Sequence, residues 1–102
     1  MRIITKDRLI AFWEKHSQSK DPLKDWYRKA LPAQWQNIED IRYLYPHADL
    51  ATVSSGRTVV IFNIGGNKYR LITAIHYNRG RVYILDVMTH DEYSKDKWKE
   101  RF

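Results

Sequence analysis

The chain has 102 residues, 43% of them hydrophobic and 14% aromatic, which fits a single domain spanning residues 1–102 with one modest core and excludes wholesale disorder. Cysteine is absent, which excludes disulfide bonds, thiolate metal sites and a cysteine nucleophile. Eighteen Lys and Arg against twelve Asp and Glu give a net charge of +6, a balance that suits nucleic acid but equally a merely solvated basic surface.

No segment approaches the roughly 20 apolar residues of a membrane span. The stretch Met1–Asp7 also lacks the apolar run of a signal peptide. We therefore expect a cytosolic protein with no membrane partner. None of the four histidines stands four residues from another, so we expect neither a metal nor any other cofactor.

The first third of the chain predicts a helical hairpin after a short opening strand at Ile3 and Ile4. Apolar residues recur at helical spacing in two stretches, namely Leu9, Phe12, Trp13 and His16, then Leu23, Trp26, Tyr27 and Ala30. We expect Thr5 to cap the first helix, and Asp21 to cap the second with Pro22 at its first position. Pro32 ends the pair.

The second half changes to strand periodicity after a third short helix, Ile38–Tyr45, which Asn37 caps and Pro46 stops. Three consecutive runs joined by short turns predict an antiparallel meander, and these runs are Thr58–Ile64, Lys68–Tyr77 and Arg81–His90. Strict alternation in the last run puts Val87 on the side opposite Val82 and Ile84.

The predicted fold class is therefore α+β, with N-terminal helices packed on one face of an antiparallel sheet. After the sheet we expect either a short C-terminal helix, capped by Asp91 or Asp96, or a frayed basic tail over Lys95–Phe102.

Three polar side chains converge on one end of the predicted sheet. Counted from the turn at Arg79, Arg70 lies nine residues back and His90 eleven residues on, so the two strands bring them near each other and near Tyr93. A guanidinium suits a phosphate, and an imidazole transfers protons near neutral pH. Because RNA supplies its own 2′-hydroxyl as nucleophile, such a set is sufficient for metal-free RNA cleavage.

Each of these residues also has a purely structural interpretation. Arg70 would suit an ion pair with Asp86, His90 a cap for the last helix, and Tyr93 a place in the core. No motif of the Walker or zincin type is present. Taken singly, the three residues do not specify an enzyme.

Two longer motifs resemble the HigB-type toxins, which are RelE-like mRNA interferases of bacterial toxin–antitoxin systems. They are FNIGGNKYRLI at Phe62–Ile72 and VMTHDEY at Val87–Tyr93. Upstream, Trp35–Ile38 leading into Ala48 and Asp49 resembles the same family's helix-to-strand connection. The resemblance extends over most of the chain, from about Ile10 to Tyr93.

The resemblance implies a RelE-like fold and a metal-independent endoribonuclease that cleaves translated mRNA on the ribosome by 2′-hydroxyl attack. It also implies neutralisation by a HigA-type helix-turn-helix antitoxin, through which the complex would reach operator DNA. Arg70 falls at the family's phosphate-binding position, His90 at a proton-transfer position and Tyr93 at a base-stacking position. The residues expected to contact RNA are Asn67, Lys68, Lys95 and Lys24.

Two other functions stay open from the residues alone. A non-catalytic RNA-binding module would use the lysines and arginines of the helical hairpin and the C-terminus, which are Lys15, Lys20, Lys24, Arg28, Lys29, Lys95, Lys97 and Lys99. A protein-interaction module would dock an acidic partner on its open sheet edge and basic face.

Overall fold

A five-stranded sheet in the order β1-β5-β4-β3-β2 organises the chain in this computed structural model, which describes residues 1–102. The strands are β1 (Arg2–Ile4), β2 (Asp49–Thr52), β3 (Thr58–Ile64), β4 (Tyr69–His76) and β5 (Arg81–Thr89). The predicted antiparallel meander is confirmed as β3-β4-β5. β1 extends it by pairing parallel to β5, and β2, which the sequence analysis did not predict, pairs antiparallel to β3.

The α+β class is confirmed by four α-helices: α1 (Asp7–Lys15), α2 (Lys20–Ala30), α3 (Ile38–Leu44) and α4 (His90–Ser94). Three short 3₁₀ turns cover Ser17–Ser19, Tyr77–Arg79 and Lys97–Arg101. No helix has the length and apolar character that a membrane crossing requires.

The N-terminal caps were predicted correctly at one helix only. Asn37 caps α3, because its Oδ1 accepts a hydrogen bond from the Asp40 N–H at 2.9 Å. Thr5 does not cap α1; it adopts a positive φ of 68°, and α1 has no side-chain cap. Asp21 lies inside α2, which begins at Lys20.

The C-terminal helix has a different cap from either predicted carboxylate. Thr89 accepts a hydrogen bond from the Glu92 N–H at 3.3 Å, so the last residue of β5 caps α4. Asp96 makes no side-chain cap and takes a left-handed φ of 61°. The predictions of Asp91 or Asp96 as the cap were therefore wrong.

One face of the sheet packs against α1, α2 and α3 and forms the main core. Its buried members are Leu9, Leu23, Trp26, Ala30, Trp35, Ile41, Ala48, Val60, Phe62, Ile64, Tyr69, Leu71, Val82, Ile84 and Val87. We call this side the helical face. The Trp26 and Phe62 rings meet edge to face at 5.3 Å, a preferred aromatic geometry.

The opposite side of the sheet, which we call the second face, is partly covered by the C-terminal segment, Lys95–Phe102. Its smaller buried cluster consists of Val53, Val59, Ile61, Ile72, Met88 and Trp98. Trp98 is 2% exposed, and its indole N–H donates to the Tyr93 carbonyl at 3.1 Å. The frayed-tail alternative for the C-terminal residues is therefore wrong.

A β-bulge changes which residues of β5 face the helices. The β4–β5 pairing shifts between Ile72 and Thr73. Val87 consequently joins Val82 and Ile84 in the main core, whereas strict alternation placed it on the other side. An extra residue in one strand reverses the face of every residue beyond it, and no residue type in this strand marks its position.

Candidate active site

The β4–β5 ladder brings Arg70 and His90 to one end of the sheet. Arg70 pairs with Met88, and the His90 N–H donates to the Lys68 carbonyl at 3.0 Å. Arg70 and His90 thus lie at the same end of the β4–β5 ladder, with His90 just past β5 as the first residue of α4. Tyr93 follows one helical turn later, in α4.

Arg70 lies on the second face, where it pairs with Met88 of the smaller buried cluster. It is 8% exposed. Its Nη1 donates to the carbonyls of Asn67 and Tyr69, both at 3.2 Å, and its Nη2 donates to the Asn67 side-chain oxygen. These bonds orient the guanidinium but do not neutralise it.

No carboxylate lies within 4.0 Å of the Arg70 guanidinium. The suggested partner, Asp86, pairs instead with Arg101 at 2.9 Å, so the structural interpretation of Arg70 as the partner of Asp86 is wrong. A largely buried charge without a counter-ion is unfavourable. The Arg70 site therefore favours a bound anion.

Tyr93 holds the Arg70 guanidinium in place. The guanidinium carbon lies 5.2 Å from the centre of the Tyr93 ring, within the range of a cation–π interaction. The same ring stacks on Trp98 with centroids 5.4 Å apart and an angle of 18°. Both contacts use the faces of the ring rather than its edge.

The Tyr93 hydroxyl remains protonated at neutral pH. Burial is the largest cause that raises its pKa above the usual value; Asp49 and Asp96 add to the increase, and Arg70 partly opposes it. A protonated phenol can donate a hydrogen bond or a proton, but it does not act as a base.

His90 is exposed and begins α4. Its Nδ1 lies 3.4 Å from the Ser94 hydroxyl, which donates to the His90 carbonyl at 2.9 Å. Thr89 caps α4, so His90 does not have the capping role that its position in the sequence suggested. The imidazole therefore faces solvent with a second side chain available to orient it.

The four residues expected to contact RNA occupy different places. Asn67 binds Arg70 directly. Lys68 is exposed in the β3–β4 turn with its amine 3.4 Å from Gln18, and Lys95 is exposed just after α4. Lys24 lies on α2, its amine 5.7 Å from the Trp13 ring. The structure thus places Lys24 in the helical layer and does not bring it to Arg70.

A cavity of about 510 Å³ lies beside Arg70, in that two neighbours of Arg70 line it although Arg70 itself does not. Its volume is within the range of about 300–1,000 Å³ of small-ligand sites. Its lining includes His47, Asn63 and Asn67, together with apolar residues at the end of α3. Asn63 is the direct β3 neighbour of Arg70. No Lys, Arg, Asp or Glu lines the cavity, so it suits an uncharged polar group.

His47 and Asn63 were missed by the sequence analysis. Asn63 interrupts an otherwise apolar strand, a signal that was present in the sequence. His47 follows the helix-stopping Pro46 and offered no such signal. No group of three or more His, Asp or Glu side chains is arranged to hold a metal ion.

Comparisons with known proteins agree on one family. Residues 19–96 match HigB_toxin, described as the RelE-like toxic component of a toxin-antitoxin system. The chain is 29% identical over 103 residues to the mRNA interferase toxin HigB of Escherichia coli (strain K12), covering 91% of this chain and 88% of that protein. The proteins named mRNA interferase HigB from Escherichia coli O157:H7 and Shigella flexneri match with the same identity and coverage.

Proposed function

Because the chain belongs to the RelE-like HigB toxins, we propose that it is an mRNA interferase in which Arg70 binds the scissile phosphate. As a toxin of this family it has an antitoxin partner and an RNA substrate. The proposal for Arg70 rests on one observation: its guanidinium is largely buried, oriented by three hydrogen bonds and free of any carboxylate partner.

The reaction needs a nucleophile, charge stabilisation and two proton movements. The 2′-oxygen of the RNA attacks the adjacent phosphorus, the bond to the 5′-oxygen breaks, and the products are a 2′,3′-cyclic phosphate and a free 5′-hydroxyl. Arg70 stabilises the charge that develops on the phosphoryl oxygens. His90 moves a proton, since its exposed imidazole lies at the same end of the β4–β5 ladder as Arg70.

Tyr93 acts mainly through Arg70 in this scheme. Its ring fixes the guanidinium, and its protonated hydroxyl is able to donate to a phosphate oxygen. The uncharged cavity next to Arg70 receives a nucleoside that flanks the phosphate, with the amides of Asn63 and Asn67 facing its polar edges. His47 lines this cavity and is a second proton carrier within the site.

The RNA is cleaved while it is translated on the ribosome, and the antitoxin is a HigA-type helix-turn-helix protein that also takes the complex to operator DNA. These statements are supported by the family resemblance of the two long motifs, Phe62–Ile72 and Val87–Tyr93. Asn67, Lys68 and Lys95 contact the RNA beside Arg70. Lys24 contacts the RNA only if the RNA strand also reaches the helical layer.

Mapping of RNA 5′ ends after brief induction tests the proposal, with translation running and then stopped. We expect Arg70→Ala to reduce cleavage by on the order of a hundredfold or more, because the phosphate loses its only buried cation. The fold should persist, since no carboxylate loses a partner. Arg79→Ala, an exposed arginine in the turn at the far end of the sheet, is the matched control and should cleave as the wild type does.

Undiminished cleavage by Arg70→Ala would contradict the role of Arg70. A footprint on RNA without new 5′ ends would instead indicate a non-catalytic binding module. His90→Gln and His47→Gln assign the proton transfer. We expect His90→Gln to cleave RNA more slowly than the wild type, and a loss of cleavage in His47→Gln alone would move the role to the cavity.

A further inference from the structure

A groove lies along the part of β5 that has no neighbouring strand. β1 pairs only with Arg81–Tyr83, so the outer edge of β5 is unpaired beyond this point. The groove, of about 450 Å³, is bounded by α1 on one side and by the end of the C-terminal segment on the other. It is separate from the cavity beside Arg70, with which it shares no lining residue.

The groove has an apolar floor and a basic rim. Phe12, Leu85, Val87 and Phe102 supply the apolar side chains, and Arg8, Lys15 and Arg101 supply the cations. The only carboxylate among the lining side chains is Asp86, which Arg101 already pairs at 2.9 Å. Arg8 and Lys15 have no carboxylate within 4.0 Å, so the rim has positive charge to offer.

The backbone of this edge is already hydrogen-bonded to the chain's own side chains. Arg8 donates to the carbonyls of Ile84 and Leu85 at 3.0 and 2.8 Å. Asp86 accepts from the Val87 N–H at 2.8 Å. An added β-strand would have to displace these contacts, whereas a helix satisfies its own backbone and needs only side-chain contacts.

We infer that this groove binds an acidic amphipathic helix of the antitoxin. The inference rests on the assignment of the chain as a toxin, which supplies the partner, but not on the role of Arg70. The apolar stripe of such a helix would cover the Phe12 and Phe102 rings, and its carboxylates would face Arg8 and Lys15. RNA would satisfy the basic rim but would leave the apolar floor uncovered, so the surface favours a protein partner.

Calorimetric titration of the cognate antitoxin tests the inference, using the full chain with Arg70→Ala so that the toxin can be produced. Lys15→Glu should weaken binding about tenfold or more, because it opposes the carboxylates of the helix. Ala11→Trp should also weaken binding, since this exposed groove residue changes in size but not in charge. Lys20→Glu, an exposed lysine outside the groove, is the matched control and should retain wild-type affinity.

Growth assays with the active chain supply the second measurement. Lys15→Glu and Ala11→Trp should cleave RNA normally and should arrest growth even when the antitoxin is present. Wild-type antitoxin affinity in both variants would overturn the inference. So would reduced RNA cleavage by Lys15→Glu at unchanged antitoxin affinity, because the groove would then bind RNA. A wild-type chain that fails to cleave RNA would contradict the proposed function, while the titrations would still test the groove.

Discussion

The two faces of the sheet are covered to very different depths. The helical face is closed by three helices over a cluster of fifteen buried residues, whereas the second face has a buried cluster of six. Trp98 is the only member of the smaller cluster that comes from outside the strands and their connections, and the C-terminal segment delivers it. The second face therefore carries the thinner of the two layers, and Arg70 lies within it, 8% exposed.

The helical face mainly stabilises the fold, whereas the second face carries the candidate active site. The helical face buries large apolar side chains and supplies most of the folding free energy that burial provides. The second face instead holds a largely buried cation, Arg70, that has no carboxylate partner. Sites that bind a substrate often retain such locally unfavourable charges, because the ligand supplies the missing partner.

The largest expected effect on stability comes from the helical face. Trp26→Ala should lower the free energy of unfolding by about 4–5 kcal/mol, because it leaves a cavity against Phe62 in the closed core. Trp26→Phe should cost less, since the indole N–H has no hydrogen-bond partner to lose. Urea unfolding followed by circular dichroism measures both. If Trp26→Phe lost as much stability as Trp26→Ala, packing of the ring against Phe62 would not be the main contribution of Trp26.

Trp98→Ala should have a smaller effect on stability and a larger one on catalysis. We expect a loss of about 3 kcal/mol, at the low end of the cost of truncating a buried tryptophan, because the thin layer over the second face can collapse. RNA cleavage should fall by about tenfold or more, since the Tyr93 ring loses its support and Arg70 its fixed position.

Trp98→Phe should restore cleavage, because a phenyl ring can still stack on Tyr93. This rescue distinguishes a positioning role from a merely structural one. Normal cleavage by Trp98→Ala at a temperature where it is folded would show that the C-terminal segment does not position Arg70.

The sequence predicted the helical face better than the second face, and the reason is the spacing of the residues. Leu23, Trp26 and Ala30 recur at helical intervals, and Asn37 followed by apolar residues at helical spacing marks a helix start. Such signals are local, so they can be recognised without knowledge of the fold.

The second face is harder to predict, because its contacts join segments that are distant in the sequence. Asp86 looked like a partner for Arg70, yet it pairs with Arg101, because the C-terminal segment folds back across the sheet. The bulge between Ile72 and Thr73 changes the facing of the β5 residues with no mark in the sequence. Counting residues from the hairpin turn was enough to predict that Arg70 and His90 lie at the same end of the sheet. The cavity could not be predicted in this way, because His47 follows α3 and is distant from Asn63 and Asn67 in the sequence.

The smallest expected effect concerns Tyr45, where the helical face borders the cavity beside Arg70. The Tyr45 hydroxyl is buried without a hydrogen-bond partner, and burial, with a smaller contribution from Asp25, raises its pKa to about 12. Because the folded pKa exceeds the usual value of 10.0, the folded state holds the phenol proton more tightly than the unfolded state, and the wild type loses stability as the pH rises from 10 towards 12. Tyr45→Phe should therefore be more stable than the wild type by up to about 1 kcal/mol at neutral pH, since it removes an unsatisfied hydroxyl.

The stability advantage of Tyr45→Phe should widen between pH 10 and 12 in urea unfolding at matched ionic strength, where the wild type must either retain the phenol proton or bury a charge. If Tyr45→Phe were less stable than the wild type, the Tyr45 hydroxyl would have to be hydrogen-bonded through the cavity. The cavity would then reach into α3 rather than stop at its end.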